Sequence, residues 1–215
     1  LQDGAEASKL AIIPNGIDYE RFSRMVIGAG PHPPTVALIG RVVPIKDIKT
    51  FIRACAILKT KVENVRALVL GPTDEDPEYF RECEMMVRHL GLDDTVQFKG
   101  RVKLDDYLSQ VDVAVLTSIS EAQPLTILET GAAGIPTVAT DVGACREMIL
   151  GRSNETPALG PGGAITPLCN ATATAEALTL LLNATQFRRQ CGRAIQERVR
   201  TYYSKQVLDR TYREM

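Results

Sequence analysis

The chain predicts an α/β fold, an open and doubly wound parallel sheet. Three observations carry that expectation. Short apolar runs alternate with amphipathic helical stretches between residues 35 and 166. The runs are continuously apolar rather than alternating, as strands are when helices cover both faces of a sheet. Gly or Pro stops several of them, as at Gly40 and at Gly71-Pro72.

In order, Thr35–Ile39 is a first strand. Lys46–Lys61 follows as a helix, with Ile48, Phe51, Ile52, Cys55 and Leu58 on one stripe. Val65–Leu70 is a second strand. Pro77–Leu90 reads as a helix with Phe80, Cys83, Val87 and Leu90 on one face, closed by Gly91. Thr95–Lys99 is a third strand, Leu104–Gln110 a short helix and Val111–Thr117 a fourth strand. Pro124–Ala133 is a helix with proline in its first turn, where a missing N–H costs nothing. Ile135–Thr140 is a fifth strand, Cys145–Leu150 a helix, Gly160–Gly163 a turn and Ala164–Thr166 a last strand. Ala173–Asn183 and Phe187–Tyr203 are helices, and the tail to Met215 continues helical. Residues 1–34 are turn-rich (Asn15-Gly16, Gly28-Ala29-Gly30, Pro31 to Pro34) and read as a lead-in segment; residues 35–215 form the domain.

The composition excludes several classes. Of 215 residues, 25 are Lys or Arg and 26 are Asp or Glu, so the basic excess of a nucleic-acid binder is missing. No apolar run approaches a membrane span, and no signal peptide is visible. The chain opens Leu1-Gln2-Asp3 without Met, as expected of a piece cut from a longer protein. The five cysteines (Cys55, Cys83, Cys145, Cys169 and Cys191) are widely spaced and odd in number, which fits a reducing, cytoplasmic compartment. Cys55 and Cys83 lie on apolar stripes, where a thiol serves as a small hydrophobe. With two histidines (His32, His89), no H-E-x-x-H and no cysteine cluster, no zinc site is expected. There is also no P-loop, no G-x-S-x-G and no complete dinucleotide fingerprint.

Chemistry in such a sheet belongs beyond the carboxyl ends of the strands. Gly40, Arg41 and Lys46 follow the first strand, Gly100 and Arg101 the third, Ser118, Ser120 and Glu121 the fourth, and Asp141 and Gly143 the fifth. Arg41 and Lys46 suit phosphate oxygens, one by a planar fork and the other as a point charge. Lys46 is expected to open the following helix and share its positive end. The spacing equally fits a solvated loop with two cations. Glu121 and Glu129 on one continuous helix would lie roughly 12 Å apart and about 80° around. With a helix start at Pro124, Glu121 stands in the loop and both carboxylates can face one cleft. The free amides of Leu125 and Thr126 between them would receive an anion. Two surface glutamates at a helix start fit the same spacing. Asp74-Glu75-Asp76 satisfies a metal-holding D-x-D pattern, but it precedes Pro77 and suits an acidic helix start better.

The stretch from Ser120 to Ala139, with Glu121 and Glu129 eight apart, resembles the Glu-x7-Glu signature of family 4 retaining glycosyltransferases. Asn15-Gly16-Ile17-Asp18 with Phe22, then Gly40-Arg41 with Lys46, then Phe98-Lys99-Gly100-Arg101-Val102, then Gly143 with Glu147, resemble further blocks of that family in its order. The resemblance covers residues 12–205. Pro44-Ile45-Lys46-Asp47 and Gln123-Pro124 are similar to the PelF-type enzymes of Pel exopolysaccharide synthesis. The resemblance implies a two-lobed GT-B fold of Rossmann-like domains, with this chain the C-terminal, donor-binding lobe. It implies transfer of a hexose, glucose from UDP-glucose, to a polysaccharide acceptor, with no cofactor and no tightly held metal. Its implied partners are the protein's own N-terminal domain and a membrane-associated polysaccharide synthase complex. It implies a catalytic set of Arg41 and Lys46 on the diphosphate, Glu129 on the ribose and Glu121 at the donor sugar. Gly40, Gln123, Pro124, Leu125 and Thr126 would contact sugar and phosphate, and Arg101 and Val102 would flank the base. Two departures stand out. Many members have Lys-Gly where this chain has Lys46-Asp47, and a glycine-rich run where it has Ala122-Gln123-Pro124. A nucleotide-sugar epimerase and a non-catalytic nucleotide-sugar sensor of the same fold are the alternative readings.

Overall fold

A computed structural model describes residues 13–25 and 31–214. The expected turn at Gly28–Gly30, residues 1–12 and Met215 lie outside the described residues. Six parallel strands form one sheet: β1 (Thr35–Ile39), β2 (Arg66–Leu70), β3 (Val96–Gly100), β4 (Val113–Leu116), β5 (Thr137–Thr140) and β6 (Gly163–Thr166). Their spatial order is β3-β2-β1-β4-β5-β6. The chain winds outward from β1 to β3, then returns to the other side of β1 and winds out to β6. That reversal opens a crevice beyond the carboxyl ends of β1 and β4, the ligand position in sheets of this order. The expected doubly wound α/β sheet is present.

Helices cover both faces. α1 (Tyr19–Ser23), α4 (Leu125–Ala132), α5 (Cys145–Leu150) and α7 (Thr185–Tyr202) contribute to one core layer. α2 (Ile48–Lys59), α3 (Pro77–His89) and α6 (Ala171–Asn183) contribute to the other. α8 (Lys205–Arg213) ends the described chain. Strand residues divide by parity, as the pleat requires. Val36 and Leu38 enter the α2 layer, with Phe51, Ile52 and Leu58 fully buried against them. Ala37 enters the α4 layer with Ile127, Leu128 and Ile195. Each such fully buried aliphatic or aromatic side chain contributes about 1.5–3 kcal/mol. Cys55 and Cys83 are buried and free in this core, as small hydrophobes.

Four local details differ from the sequence expectation. The lead-in contains a helix, α1, whose cap Asp18 accepts from the Arg21 amide at 3.1 Å. Its Phe22 and the preceding Ile17 are buried. Five residues are too short for a periodic stripe to register. Lys46 does not open α2. It closes a 3-10 turn, Pro44–Lys46, and Asp47 caps α2 from the left-handed region at φ 45°. Leu104–Gln110 is two 3-10 turns rather than one helix, broken at Tyr107 with φ −119°. Pro124 is the cap of α4, in extended conformation, and not its first residue.

Candidate functional site

The crevice beyond β1 and β4 is built from the loops that leave those strands. After β1, the Gly40 amide donates to the Leu70 carbonyl at 2.9 Å, and the chain turns through Arg41 into the 3-10 turn that carries Lys46. After β4, Thr117 and Ser118 are buried. The Thr117 hydroxyl donates to the carbonyls of Lys46 and Asp47, at 3.0 Å each. The Ile119 amide adds a bond to the Ile45 carbonyl at 2.9 Å. The two loops are therefore tied together at backbone level, and the Lys46 stem starts from a fixed point. Asp47 holds a conformation that glycine adopts freely, and Asp tolerates it better than most side chains. Its carboxylate accepts from the Thr50 amide at 3.2 Å, so it also caps α2.

Lys46 and Glu121, 75 positions apart, meet here. Lys46 Nζ donates to Glu121 Oε1 at 2.5 Å, and Ser118 Oγ donates to the same oxygen at 2.7 Å. The side chains are 20% and 13% exposed, so this pair is screened far less than a surface pair. One ammonium proton is committed to Glu121, which leaves two donors for another acceptor. Arg41 is not part of this cluster. It pairs with Glu75 Oε2 at 2.8 Å and is half exposed. The acidic run is thus split in use. Asp76 caps α3, accepting from the Tyr79 amide at 3.0 Å, and Glu75 holds Arg41. Among the described residues, no group of three or more His, Cys, Asp or Glu is placed to hold a metal.

α4 begins at Leu125, so the amides of Leu125 and Thr126 open into the site without intrahelical partners. Gln123, just before it, is held by Asn15. The Asn15 amide donates to Gln123 Oε1, and Asn15 Nδ2 donates to the Gln123 carbonyl at 3.2 Å. The turn Glu121–Ala122 is backed by Gly143 at φ +50°, where an added Cβ would stand 2.2 Å from the Glu121 carbonyl oxygen. The Ala144 amide donates to the Ala122 carbonyl at 2.9 Å. Beside this turn lies an open cavity of about 810 Å³, lined by Gln123, Gly143, Arg146, Glu147, Arg152 and Asn154 among others. Glu147 is held there by Arg152 Nε at 2.6 Å and the Tyr203 hydroxyl at 3.1 Å.

Glu129 lies one turn deeper on α4 and is half-buried. Burial pushes its carboxyl above the usual carboxylate range; the Arg21 guanidinium opposes that, and the Asp105 carboxylate adds to it. Arg21 in turn pairs with Asp105 at 2.8 Å. Glu129 and Glu121 are therefore in different company, one beside α1 and the other on Lys46. Arg101 is exposed after β3, and Val102 is half-buried against the α4 layer. Sequence reasoning missed Arg21, Asp105 and Thr117. For Thr117 a signal existed, a hydroxyl closing an apolar strand at the switch point. Arg21 and Asp105, 84 positions apart, leave no local trace.

A family model, "Glycosyl transferases group 1", matches residues 20–198. D-inositol 3-phosphate glycosyltransferase 2 of Catenulispora acidiphila is 30% identical over 155 residues, 65% of this chain and 36% of that protein. The lipopolysaccharide core biosynthesis mannosyltransferase LpsB of Rhizobium meliloti is 32% identical over 155 residues, 67% of this chain and 44% of that protein. The match thus covers less than half the length of these relatives. Among solved structures, sucrose-phosphate synthase of Thermosynechococcus elongatus superposes with TM-score 0.78 at 25% identity, over 95% of this chain and 52% of that one. HepE of Anabaena, solved in complex with UDP, superposes with TM-score 0.84 at 19% identity, over 99% of this chain and 58% of that one. The latter likeness is one of fold. The family match spans the crevice loops, α4 and all six strands of the sheet, and the chain belongs to the glycosyl transferases group 1 family.

Proposed function

We propose that this chain is the donor-binding lobe of a retaining glycosyltransferase that moves a hexose, glucose from UDP-glucose, onto a polysaccharide acceptor. The observation that carries the reading is the Lys46–Glu121–Ser118 cluster at the switch point, beside the free amides of Leu125 and Thr126. Lys46 has two ammonium protons left for diphosphate oxygens, and Arg41 supplies a second cation on the same loop. The α4 amides add the positive end of a helix. As the anomeric C–O bond loosens, its electron pair moves onto the diphosphate. Fixed cations strengthen their interaction as that charge grows, which lowers the barrier. Glu121, held by Lys46 and Ser118, faces the donor sugar, and Glu129 takes the ribose hydroxyls. Gly40, Gln123 and Pro124 border the sugar and phosphates, and Arg101 with Val102 flanks the base. The likeness of Pro44-Ile45-Lys46-Asp47 and of Gln123-Pro124 to PelF-type enzymes carries the finer assignment, a cytoplasmic member without a tightly held metal. Residues 35–215 are the domain and residues 1–34 its lead-in, and the acceptor wall belongs to a separate N-terminal domain.

The test is an assay of the full-length protein with UDP-glucose and other nucleotide sugars, following UDP release and the anomeric configuration of the product. UDP release with an α-linked product supports the reading. Conversion of the donor sugar without an acceptor would establish an epimerase, and donor binding with no turnover would establish a sensor.

A further inference from the structure

We propose a second anion site, for a phosphate group, at the opposite edge of the sheet from the donor crevice. A cavity of about 360 Å³ is lined there by Arg188, Arg189, Arg193 and Gln196 of α7, with Gly134 and Gly192 also among its walls. Asp112 and Pro136, which also line it, immediately precede β4 and β5 at their amino ends. The four residues of β5 alone separate this edge from the donor end by about 13 Å.

Arg189, Arg193 and Gln196 recur at helical spacing and share one face of α7. On the same stretch Gly192 is buried, and a Cβ there would stand 2.2 Å from the Gly134 carbonyl oxygen. The helix backbone therefore comes down onto the turn before β5, and the flanking arginines rise around the gap. The charges around it do not cancel. Asp112 is already occupied. It accepts from the Thr35 amide at 2.9 Å, pairs with Arg188 at 3.3 Å and lies 3.8 Å from His32. Arg188 also donates to the carbonyls of Leu181 and Leu182, at 3.1 and 2.7 Å. That pair holds itself in place. Arg189 and Arg193 are exposed, and neither has an acidic partner within ion-pair distance among the described residues. No acidic residue occurs between Thr185 and Gln196. Two adjacent guanidiniums over a concavity, in a chain of net charge −1, form a local site for an anion. Their planar forks match phosphate oxygens bidentately, which selects phosphate over a simple halide. The phosphate can belong to a soluble ester or to a lipid headgroup.

The experiment uses this chain with two probes. Inorganic phosphate is titrated while the amide signals of Gly192 and the Gln196 side chain are followed by NMR, with chloride as the matched salt control. Flotation is then measured with vesicles of phosphatidylcholine alone or mixed with phosphatidylglycerol, at physiological ionic strength. Saturable phosphate-specific shifts, retention on the anionic vesicles, or both are expected. Phosphate saturation without flotation identifies a soluble ester, and flotation that grows with the anionic lipid identifies a headgroup. Arg189→Gln with Arg193→Gln should weaken the observed binding at least about tenfold, the scale of a lost charge-assisted bond or two, without moving the thermal midpoint. Arg200→Gln, on the same helix but paired with Glu197, should leave binding unchanged. The proposal is overturned if the chain binds neither probe, if binding survives the double substitution, or if Arg200→Gln abolishes it equally.

Discussion

Lys46 and Arg41 sit on one loop, yet their surroundings make them unequal. Lys46 is mostly buried and locked on Glu121, whereas Arg41 is half exposed and pairs with Glu75 at the surface. Charge-assisted hydrogen bonds contribute about 1.5–3 kcal/mol, so Lys46→Met should weaken UDP binding roughly 10- to 150-fold. Arg41→Ala should fall at or below the lower end of that range, because solvent screens an exposed cation. Calorimetry with UDP and with uridine checks both, since uridine carries no phosphate and should be nearly unaffected. Equal losses for the two ligands would remove these cations from the diphosphate. The two glutamates separate in the same way. Glu129→Gln should weaken UDP and UDP-glucose by similar factors, while Glu121→Gln should spare UDP and weaken UDP-glucose. Glu129 also has a pH signature. Its carboxyl is raised above the usual 4.5 by burial. The folded state therefore binds its proton better, so its contribution to stability is full below the unfolded value and is lost as pH rises through the folded one. If Glu129 holds the ribose, the ionised carboxylate accepts from its hydroxyls more strongly than the acid does. Uridine affinity should accordingly begin to fall, on acidification, at a pH above 4.5, and Glu129→Gln should abolish that inflection.

At the scale of elements, the site depends on turns that clamp one another. Gly143 allows the turn before α5 to lie against Glu121 and Ala122, and no side chain fits there. Gly143→Ala forces a Cβ at 2.2 Å from a backbone oxygen and strains a left-handed residue. A loss of about 1–3 kcal/mol follows from the backbone strain alone. Urea unfolding should show the lowered midpoint, and turnover of the full-length protein should fall with it, because the displaced atoms belong to Glu121. A stable, fully active variant would mean that the turn does not position Glu121. The strands and long helices were legible because burial on both faces leaves continuous apolar runs and helical stripes. Arg41, Lys46 and Glu121 were legible because they stand in the loops that leave strand ends, and Glu129 because Pro124 marks a helix start between two glutamates eight apart. What escaped was pairing across distance. Asn15 on Gln123, Arg21 on Asp105 and Glu75 on Arg41 join segments that only the winding of the sheet brings together. Nor did the spacing reveal that Lys46 and Glu121 would be direct partners, since each was placed on the rim by its own strand. The left-handed Asp47 was equally invisible, because Asp does not announce a positive φ as Gly does.

Across the whole molecule, a buried ion pair between Arg198 and Glu155 fastens α7 to the α5 end of the sheet. Arg198 is fully buried and Glu155 is 5% exposed; Nε and Nη2 donate to the two carboxylate oxygens at 2.7 and 2.8 Å. The guanidinium also donates to the carbonyls of Ile149 and Gly160, at 2.9 and 2.7 Å. It thereby joins α7, the end of α5 and the loop that leads into β6. These hydrogen bonds hold the Glu155 carboxyl below the usual carboxylate range. A depressed pKa contributes stability that is present above the unfolded value, near 4.5, and is lost as pH falls through the folded one. Removing one partner of a buried pair costs about 3–5 kcal/mol, and Glu155→Gln keeps one acceptor oxygen, so the lower end applies. Two results are expected from urea unfolding between neutral and acid pH. At neutral pH the variant's midpoint should be lower. Below about pH 4.5 the native chain should lose stability steeply while the variant's profile is flatter, so the two curves converge. Parallel curves would show that acid sensitivity arises elsewhere and that this pair does not carry the linkage between α7 and the sheet.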